Sequence, residues 1–208
     1  MEKIVLVGFG GHGESVADSI ERQGLFEVIG YTDNEKKKSK YSYLGTDDIL
    51  DDIYNDGVKN AAVCVGYIGE GDIRRTIYGV LKRIGYSLPI IIDPSAVISE
   101  NSIIEEGVFV GKNAVINSCA TIKKMSIINT AAVIEHDVYV DEFSHISVNS
   151  TICGGASIGA NCMIGAGAVV IHGVNVSNEC IVSAGSTVIR NIESGTIYYG
   201  IGKDSRRR

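Results

Sequence analysis

A six-residue repeat runs through the second half of this sequence and restricts the folds that it can adopt. From Ile98 to Val188, every sixth residue is isoleucine or valine, and the residue two positions before each of them is small or β-branched. Strands alternate with a period of two and helices with a period of 3.6, so neither produces this pattern. The repeat predicts a solenoid in which each unit forms one short strand and one corner, and three units complete a coil.

Successive coils of such a solenoid stack by parallel hydrogen bonding about 4.8 Å apart. The repeat predicts roughly five coils, with the branched residues in the interior and the small residues where the chain turns. Cys162 and Cys180 are separated by three units and should stack as an inward ladder. Glycines are expected to relieve backbone strain at the corners, namely Gly107, Gly155, Gly159, Gly165, Gly167 and Gly185.

The residues before the repeat alternate between predicted strands and helices. A buried strand over Lys3–Gly8 leads into a helix over Glu14–Gln23, and a second strand over Phe26–Tyr31 ends at Asp33 and Asn34. The remaining predictions are a helix over Thr46–Tyr54, a strand over Ala61–Gly66, a helix over Asp72–Gly85 and a strand over Ser87–Ile92. This tight alternation predicts a small, doubly wound, Rossmann-like α/β domain.

The first strand and helix are joined by a glycine-rich loop. Gly8, Gly10 and Gly13 match the G-x-G-x-x-G pattern, and Asp33 follows about twenty residues later. The pattern also occurs in NAD-linked enzymes, which are one alternative, but the domain ends too early for the six-stranded dinucleotide fold. A nucleotide-linked sugar, with its diphosphate at the helix N-terminus, is therefore favoured. Glycines that serve only strand–helix packing are a third interpretation.

The composition argues against several classes of partner. The formal net charge is −6 and the pI is about 5.2, whereas nucleic-acid binding requires a basic face. The sequence contains neither a basic leader followed by an apolar segment nor an apolar run of roughly 18 residues, so we predict a cytoplasmic protein without a membrane contact. The odd number of cysteines, none in a C-x-x-C pair, indicates small buried residues in a reducing compartment.

Among the histidines, His136 has the most informative neighbours. It precedes Asp137 at a predicted corner, and stacking three units later places Gly154 and Gly155 beside it, so the imidazole faces open backbone. Asp137 or Glu135 would orient the imidazole as a general base, and the Gly154 amide would face a developing oxyanion.

Metal binding and cysteine nucleophiles are not predicted. His136 and His145 are nine residues apart, which places them on different sides of one coil, where they do not form a zinc site. None of the cysteines has an adjacent base or cation in the sequence that would activate its thiol.

These features resemble the bacterial hexapeptide-repeat sugar acetyltransferases, the group of the sialic acid O-acetyltransferases and of the bacillosamine and perosamine N-acetyltransferases. The resemblance covers nearly the whole chain, from Ile4 to about Gly200. It rests on six segments, which are Gly8 to Gly13, Asp33-Asn34, Ile128-Asn129-Thr130, Val133 to Asp137, Phe143 to Ile146 and Ala184-Gly185.

The resemblance implies a homotrimer of left-handed β-helices with acetyl-CoA in the groove between neighbouring solenoids. It implies that His136 is the general base and that Asp137 orients it. The implied substrate-binding residues are Gly10, Gly11, His12, Asp33, Asn34 and Asn129. The implied acetyl-CoA-binding residues are His145, Gly154, Ala166, Ala184 and Lys203.

The implied activity is acetyl-CoA-dependent N-acetylation of a nucleotide-linked amino sugar of the 4-amino-4,6-dideoxy type, for surface glycan biosynthesis. O-acetylation of the sialic-acid type is the close alternative, and an NAD-dependent enzyme or a non-catalytic sugar-binding scaffold are more distant ones. Residues 1–92 are then the Rossmann-like nucleotide-sugar-binding domain, residues 93–190 the left-handed β-helix acetyltransferase domain, and residues 191–208 a C-terminal tail. The sequence does not distinguish among sugars or nucleotides.

Overall fold

The computed structural model describes residues 1–67 and 72–200, together with the backbone of residues 204–206. The chain forms two compact units. Unit 1 comprises Met1–Gly66 and Gly71–Pro94, and unit 2 comprises Tyr67–Glu70 and Ser95–Arg208.

Unit 1 is an α/β domain built on a four-stranded parallel sheet with the strand order β3-β2-β1-β4. Its strands are β1 (Glu2–Val7), β2 (Phe26–Thr32), β3 (Tyr43–Gly45), β4 (Asn60–Val63) and β5 (Ile91–Ile92), the last outside this sheet. Its helices are α1 (Gly11–Gln23), α2 (Leu50–Asn55) and α3 (Ile73–Ile84), with a short 3₁₀ helix over Asp47–Ile49. Residues 4–7 of the central strand β1 are completely buried, as an apolar run covered on both faces requires.

Two predicted elements of unit 1 differ from the structure. Strand β3 was not predicted, because it has only three residues and follows a lysine-rich polar segment. The predicted strand over Ser87–Ile92 is reduced to a parallel bridge between Asn60 and Ser87 and the short β5. The chain then reaches Asp93, whose buried carboxylate accepts hydrogen bonds from Arg22 at 2.7 and 2.8 Å and from Ser19 at 2.9 Å.

Unit 2 is a parallel β-solenoid of about six turns with three faces. Face A contains β7 (Ile103–Ile104), β10 (Thr121–Ile122), β13 (Tyr139–Val140), β16 (Ser157–Ile158) and β19 (Asn175–Val176). Face B contains β8 (Phe109–Val110), β11 (Ile127–Ile128), β14 (His145–Ile146), β17 (Met163–Ile164), β20 (Ile181–Val182), β22 (Thr196–Tyr198) and the antiparallel β23 (Asp204–Arg206). Face C contains β6 (Val97–Ile98), β9 (Val115–Ile116), β12 (Val133–Ile134), β15 (Thr151–Ile152), β18 (Val169–Val170) and β21 (Thr187–Val188).

The register of the solenoid follows the sequence repeat. Up to β21, paired strands are 18 residues apart, as Ile134 and Ile152 are, and the second residue of each strand points inward. The last parallel pair is shorter, since Ile181 of β20 pairs with Ile197 of β22. Ile134 and Ile152 are completely buried, as are Cys162 and Cys180, so the predicted inward stacking of these cysteines is confirmed. Burial of this continuous column of branched side chains is the main favourable contribution to the fold.

At each corner one residue, every sixth along the chain, has a left-handed backbone conformation with positive φ. Glycine occupies only some of these positions. Gly107, Gly155, Gly167 and Gly185 have φ near 67° as predicted, whereas other corners use Asn113, Cys119, Met125, Ala131, Asp137, Phe143, Asn149, Asn161 and Glu179. The prediction was wrong for Gly159 and Gly165, which do not have positive φ. They are glycine because a Cβ atom there would lie 2.6 Å from the Asn178 amide nitrogen and 2.5 Å from the Ala184 amide nitrogen, respectively.

Among the described residues, no helix is long and apolar enough to span a membrane. In the same part of the chain, histidine, cysteine and acidic side chains do not form a group that could hold a metal ion.

Candidate active site

The glycine-rich loop of unit 1 leaves the N-terminus of α1 open. Gly8 has φ of 79°, and a Cβ atom there would lie 2.3 Å from the Val65 side chain. Gly13 allows α1 to approach β1 and β4 closely, since its Cβ position is 3.2 Å from the Phe9 ring. At Gly10 and Gly11, by contrast, a Cβ atom would meet nothing within 4 Å. The helix therefore begins at Gly11 with an open surface, which suits an anionic group.

Asp33 supports this loop from the end of β2. Its Oδ2 accepts a hydrogen bond of 2.7 Å from the Phe9 amide, and its Oδ1 accepts one of 3.2 Å from the Glu35 amide. Burial alone would raise the pKa of Asp33, but these amide bonds and nearby Lys37 outweigh it and lower the pKa. One oxygen of the carboxylate thus holds the glycine loop, instead of being left for a ribose as in a dinucleotide site. Its neighbour Asn34 is exposed.

His12 lies in the first turn of α1 and is half-buried. The position of a Cβ atom on Gly66 would be 3.6 Å from the His12 Cβ, so the absence of a side chain at Gly66 leaves room beside this histidine. Gly10, Gly11 and His12 are thus consecutive residues at the N-terminus of α1.

In unit 2, His136 and Asp137 form a hydrogen-bonded pair at a corner between faces C and A. The His136 Nδ1 lies 2.8 Å from the Asp137 Oδ2, and the two side chains are 55% and 65% exposed. Asp137 has φ of 58°. The hydrogen bond and the negative charge of Asp137 raise the pKa of the His136 imidazole. With Nδ1 donating to the carboxylate, Nε2 carries the lone pair of a potential base.

Glu135 has a different role from Asp137. Its Oε2 accepts hydrogen bonds from the Asn117 Nδ2 at 3.1 Å and from the His136 amide at 3.3 Å. Of the two acids considered for orienting the imidazole, Asp137 is the one that bonds the ring, and Glu135 braces the backbone of the corner.

Gly154 stacks directly beside the His136 imidazole. A Cβ atom on Gly154 would lie only 2.5 Å from His136 Nε2, so the ring occupies space that any side chain would fill. The equivalent corner amides of Ser118, Thr130 and Glu142 are each bonded by the side chain of the preceding residue, at 2.8 Å. The residue before Gly154 is Cys153, and among the described residues the Gly154 amide has no hydrogen-bond acceptor.

His145 and Asn129 form a second polar group, at the edge between faces B and C. His145 Nδ1 lies 2.6 Å from the Tyr67 carbonyl oxygen, and Asn129 Nδ2 lies 3.0 Å from His145 Nε2. Because a carbonyl only accepts, Nδ1 carries the proton and Nε2 accepts from Asn129, whose Oδ1 bonds the Thr130 amide. His145 is therefore buried, with both ring nitrogens in hydrogen bonds.

Tyr67 is the residue of this group that sequence reasoning missed. Its carbonyl holds His145, and its hydroxyl donates a hydrogen bond of 2.9 Å to the Asn161 carbonyl. Tyr67 lies 78 residues before His145 and outside the repeat, so neither motif nor spacing signalled the contact.

Further along the same edge, the corner amides of Ala166 and Ala184 also have no acceptor among the described residues. Gly165 leaves the Ala184 amide uncovered, since a Cβ atom on Gly165 would lie 2.5 Å from the Ala184 amide nitrogen. Lys203, predicted to contact acetyl-CoA, lies outside the described residues.

The two polar groups lie on either side of one face C strand. Asn129 precedes β12, whose residues are Val133–Ile134, and His136 follows it. Within one chain the structure brings together His136 with Asp137 and Gly154, and separately Asn129 with His145, at opposite edges of face C.

Comparisons with known proteins support both halves of this description. A family model of the PglD N-terminal domain matches residues 3–81, and a model of the hexapeptide repeat of succinyl-transferase matches residues 155–190. A histidine-to-asparagine mutant of perosamine N-acetyltransferase from Caulobacter crescentus, in complex with CoA and GDP-perosamine, superposes with a TM-score of 0.92 at 28% identity. That match covers 100% of this chain and 98% of the other.

Two further solved structures are similar to this chain. The acetyltransferase domain of PglB from Neisseria gonorrhoeae has a TM-score of 0.90 at 28% identity, with 100% of each chain covered. WeeI from Acinetobacter baumannii shares the fold with a TM-score of 0.74 at 18% identity, covering 94% of this chain and 95% of the other. The predicted fold class, a small Rossmann-like domain followed by a left-handed parallel β-helix, is confirmed. As the resemblance implied, this chain is similar to the PglD N-terminal domain and to hexapeptide-repeat proteins, and its whole length superposes on a perosamine N-acetyltransferase.

Proposed function

We propose that this protein transfers the acetyl group of acetyl-CoA to the amine of a nucleotide-linked amino sugar. The observation that carries the proposal is the corner at His136. There, an exposed imidazole is oriented by Asp137 and lies beside Gly154, whose amide has no hydrogen-bond acceptor in the described part of the chain. The perosamine N-acetyltransferase that superposes on this chain was crystallised with CoA and GDP-perosamine, which are the same classes of donor and acceptor.

The corner can carry out each step of acyl transfer. The sugar amine attacks the thioester carbonyl and forms the C–N bond, while His136 Nε2 accepts the proton that the amine loses. The Gly154 amide donates a hydrogen bond to the oxyanion of the tetrahedral intermediate. Collapse of that intermediate breaks the C–S bond, and the proton returns from His136 to the CoA thiolate.

The two domains divide the binding of the substrates. Residues 1–92 bind the nucleotide sugar, with its diphosphate at Gly10, Gly11 and His12 and its nucleoside towards Asp33 and Asn34. Residues 93–190 bind acetyl-CoA and carry the transfer. This division is supported in unit 1 by the open helix N-terminus. In unit 2 it is supported by the corner amides of Gly154, Ala166 and Ala184, which have no acceptor among the described residues. These amides are suitable donors for the carbonyl groups of the pantetheine arm.

A homotrimer would bring the separated groups of unit 2 together. The outward residues of face C are mostly apolar, with Val97 65% exposed and Val115, Val133 and Val169 half-buried. If face C packs against neighbouring copies, the His136 edge of one copy meets the Asn129 and Ala166 edge of the next. Acetyl-CoA then lies in a groove that two copies share, with His145 positioning the Asn129 side.

The experiment that tests this function measures thiol release from acetyl-CoA with UDP-, dTDP- and GDP-linked 4-amino sugars, with free sialic acid included for O-transfer. Turnover with one nucleotide amino sugar is expected. His136→Ala should lower kcat/KM by about 10²- to 10⁴-fold, the usual contribution of a general base. Nucleotide-sugar binding should be unchanged. Full turnover by this variant would exclude His136 as the base, and turnover only with sialic acid would replace N-transfer with O-transfer.

The cytoplasmic location and the role in surface glycan biosynthesis remain predictions from the sequence. Fractionation of cells that express the tagged chain tests the first of them.

A further inference from the structure

A polar groove opens on face A, away from the edges that carry the proposed site. It has a volume of about 380 Å³ and lies between strands β13 and β19. Of the described residues, none that was assigned above to catalysis or substrate binding lines it. Its volume falls in the range of small-molecule sites, roughly 300 to 1,000 Å³.

The groove exists because a column of side chains, stacked from coil to coil along the solenoid, is interrupted by a glycine. Glu105, Lys123 and Asp141 occupy equivalent positions in successive coils, and Lys123 is paired with Glu105. The next residue in the column is Gly159. A Cβ atom there would lie 2.4 Å from the Asn178 Oδ1, so glycine keeps the floor of the groove open.

The walls of the groove have fixed hydrogen-bonding roles. The Asn175 Oδ1 accepts from the Ser157 hydroxyl at 2.9 Å, and the Asn178 Oδ1 accepts from the Ala160 amide at 3.0 Å. With both carbonyl oxygens engaged, the Nδ2 groups of the two asparagines remain as donors. Asp141 adds carboxylate acceptors, one of which also takes the Glu142 amide at 2.8 Å.

One aromatic ring completes the groove. Tyr139 is 40% exposed on the outward side of β13, and its ring lies beside these donors and acceptors. A tyrosine offers an apolar ring face together with a polar hydroxyl. The ring can pack against the C–H groups of a ligand while the hydroxyl stays hydrogen-bonded.

This combination selects for a neutral, hydroxyl-rich ligand. Each sugar hydroxyl donates and accepts, which matches amide donors beside a carboxylate, and the C–H face of a pyranose matches an aromatic ring. The described residues that line the groove include a carboxylate and no cation, and Lys123 in the neighbouring coil is already paired, so phosphate and other anions are disfavoured. We propose that the groove formed by Tyr139, Asp141, Asn175 and Asn178 binds a neutral saccharide outside the acetyl-transfer site.

Ligand-observed NMR with the full chain tests this proposal. The probes are the methyl glycosides of glucose, galactose, mannose and N-acetylglucosamine, with inorganic phosphate as the anionic comparison. At least one glycoside should bind saturably and phosphate should not. Tyr139→Ala should weaken the binding by about five- to tenfold, the value of an aromatic contact, and Tyr139→Phe should retain most of it. Tyr199→Ala, at a tyrosine that is 54% exposed outside the groove, is the matched control and should have no effect.

Acetyl transfer measured on the same variants separates this groove from the proposed active site. Loss of glycoside binding by Tyr139→Ala with acetyl transfer retained supports the proposal. Loss of both activities would assign the groove to the transfer site and overturn it. No saturable binding by the folded wild-type chain, or binding that Tyr139→Ala leaves unchanged, would also overturn it.

Discussion

The geometry of the His136 imidazole originates in its own corner and in the coil that stacks on it. Asp137 occupies the left-handed position of the corner, and its carboxylate reaches the ring of the residue just before it. Gly154 supplies the space on the other side and an amide without an acceptor among the described residues. In the proposed mechanism, adjacent residues in the sequence thus set the proton acceptor, and a residue one coil away supplies the oxyanion donor.

Asp137→Asn should shift the pH dependence of acetyl transfer. His136 acts as a base only when neutral, so activity falls as the pH decreases through the pKa of His136, which Asp137 raises. Without the carboxylate that pKa returns towards its ordinary value of about 6.5, and the acidic limb of kcat/KM should move to lower pH. At high pH the rate should still be lower by about tenfold or more, because the tautomer is no longer fixed. Glu135→Gln is the comparison: its charge is the smaller contribution to the raised pKa of His136, so this variant should shift the acidic limb less. An acidic limb that stays in place in Asp137→Asn would contradict the assignment.

Gly154→Ala should remove activity while leaving the fold intact. The added Cβ atom would meet the exposed His136 ring instead of backbone, so the ring is displaced and the coil is not. A displacement of this kind lowers kcat/KM by about 100-fold. Steady-state kinetics and thermal unfolding of the variant check this. Gly79→Ala, where a Cβ atom meets nothing within 4 Å, is the control. It should keep the wild-type kinetics and unfold no earlier than the wild type, since alanine is favoured over glycine inside α3.

The solenoid corners show where sequence reasoning succeeds and where it stops. Inward residues such as Ile134 were predicted because a fixed spacing of six forces them into one column. The pairing of His136 with the Gly154 corner followed from the same spacing. The contact of Tyr67 with His145 and the existence of β3 did not follow, because they depend on how segments outside the repeat fold. Spacing alone also could not separate glycines at left-handed corners from Gly159, which prevents a clash between coils.

Gly165→Ala should destabilise the solenoid. Its Cβ atom would lie 2.5 Å from the Ala184 amide nitrogen and 2.6 Å from the Val182 carbonyl oxygen, both in the backbone of the next coil. Forcing the coils apart should cost about 1–3 kcal/mol in the free energy of unfolding.

Denaturant unfolding measures this cost against a matched substitution, Gly167→Asn. Gly167 has φ of 66° and open space around its Cβ position, and asparagine occupies the same backbone conformation at Asn149 and Asn161. Gly167→Asn should therefore be close to neutral. Equal stabilities of the two variants would contradict the proposed reason for Gly165.

Apolar side chains are distributed unequally over the outer surfaces of the solenoid, and this distribution supports an assembly of several copies. The outward positions of face C are valine or threonine throughout, whereas those of face A are Ile103, Thr121, Tyr139, Ser157 and Asn175. A regular, flat and mostly apolar face is a suitable interface between identical solenoids.

Val133→Glu should disrupt the proposed trimer. The substitution places a charge in the middle of face C, where burial against another copy would leave it unpaired. Sedimentation should show a monomer, acetyl transfer should fall with the loss of the shared groove, and nucleotide-sugar binding should persist. Thr121→Glu, at the equivalent position of face A, should remain trimeric. A monomeric wild type at assay concentration would exclude the shared groove.

The stacking of strands 18 residues apart also determines how the molecule opens. A coil contacts only the coils before and after it, so a solenoid of this type loses structure from its ends inward. Amide hydrogen exchange should therefore be slowest in the central coils and faster towards Val97 and Val188. His136 and Gly154 lie in those central coils, with further coils on both sides. The corner proposed to carry out acetyl transfer thus lies in the stretch of solenoid that fluctuations should expose least often.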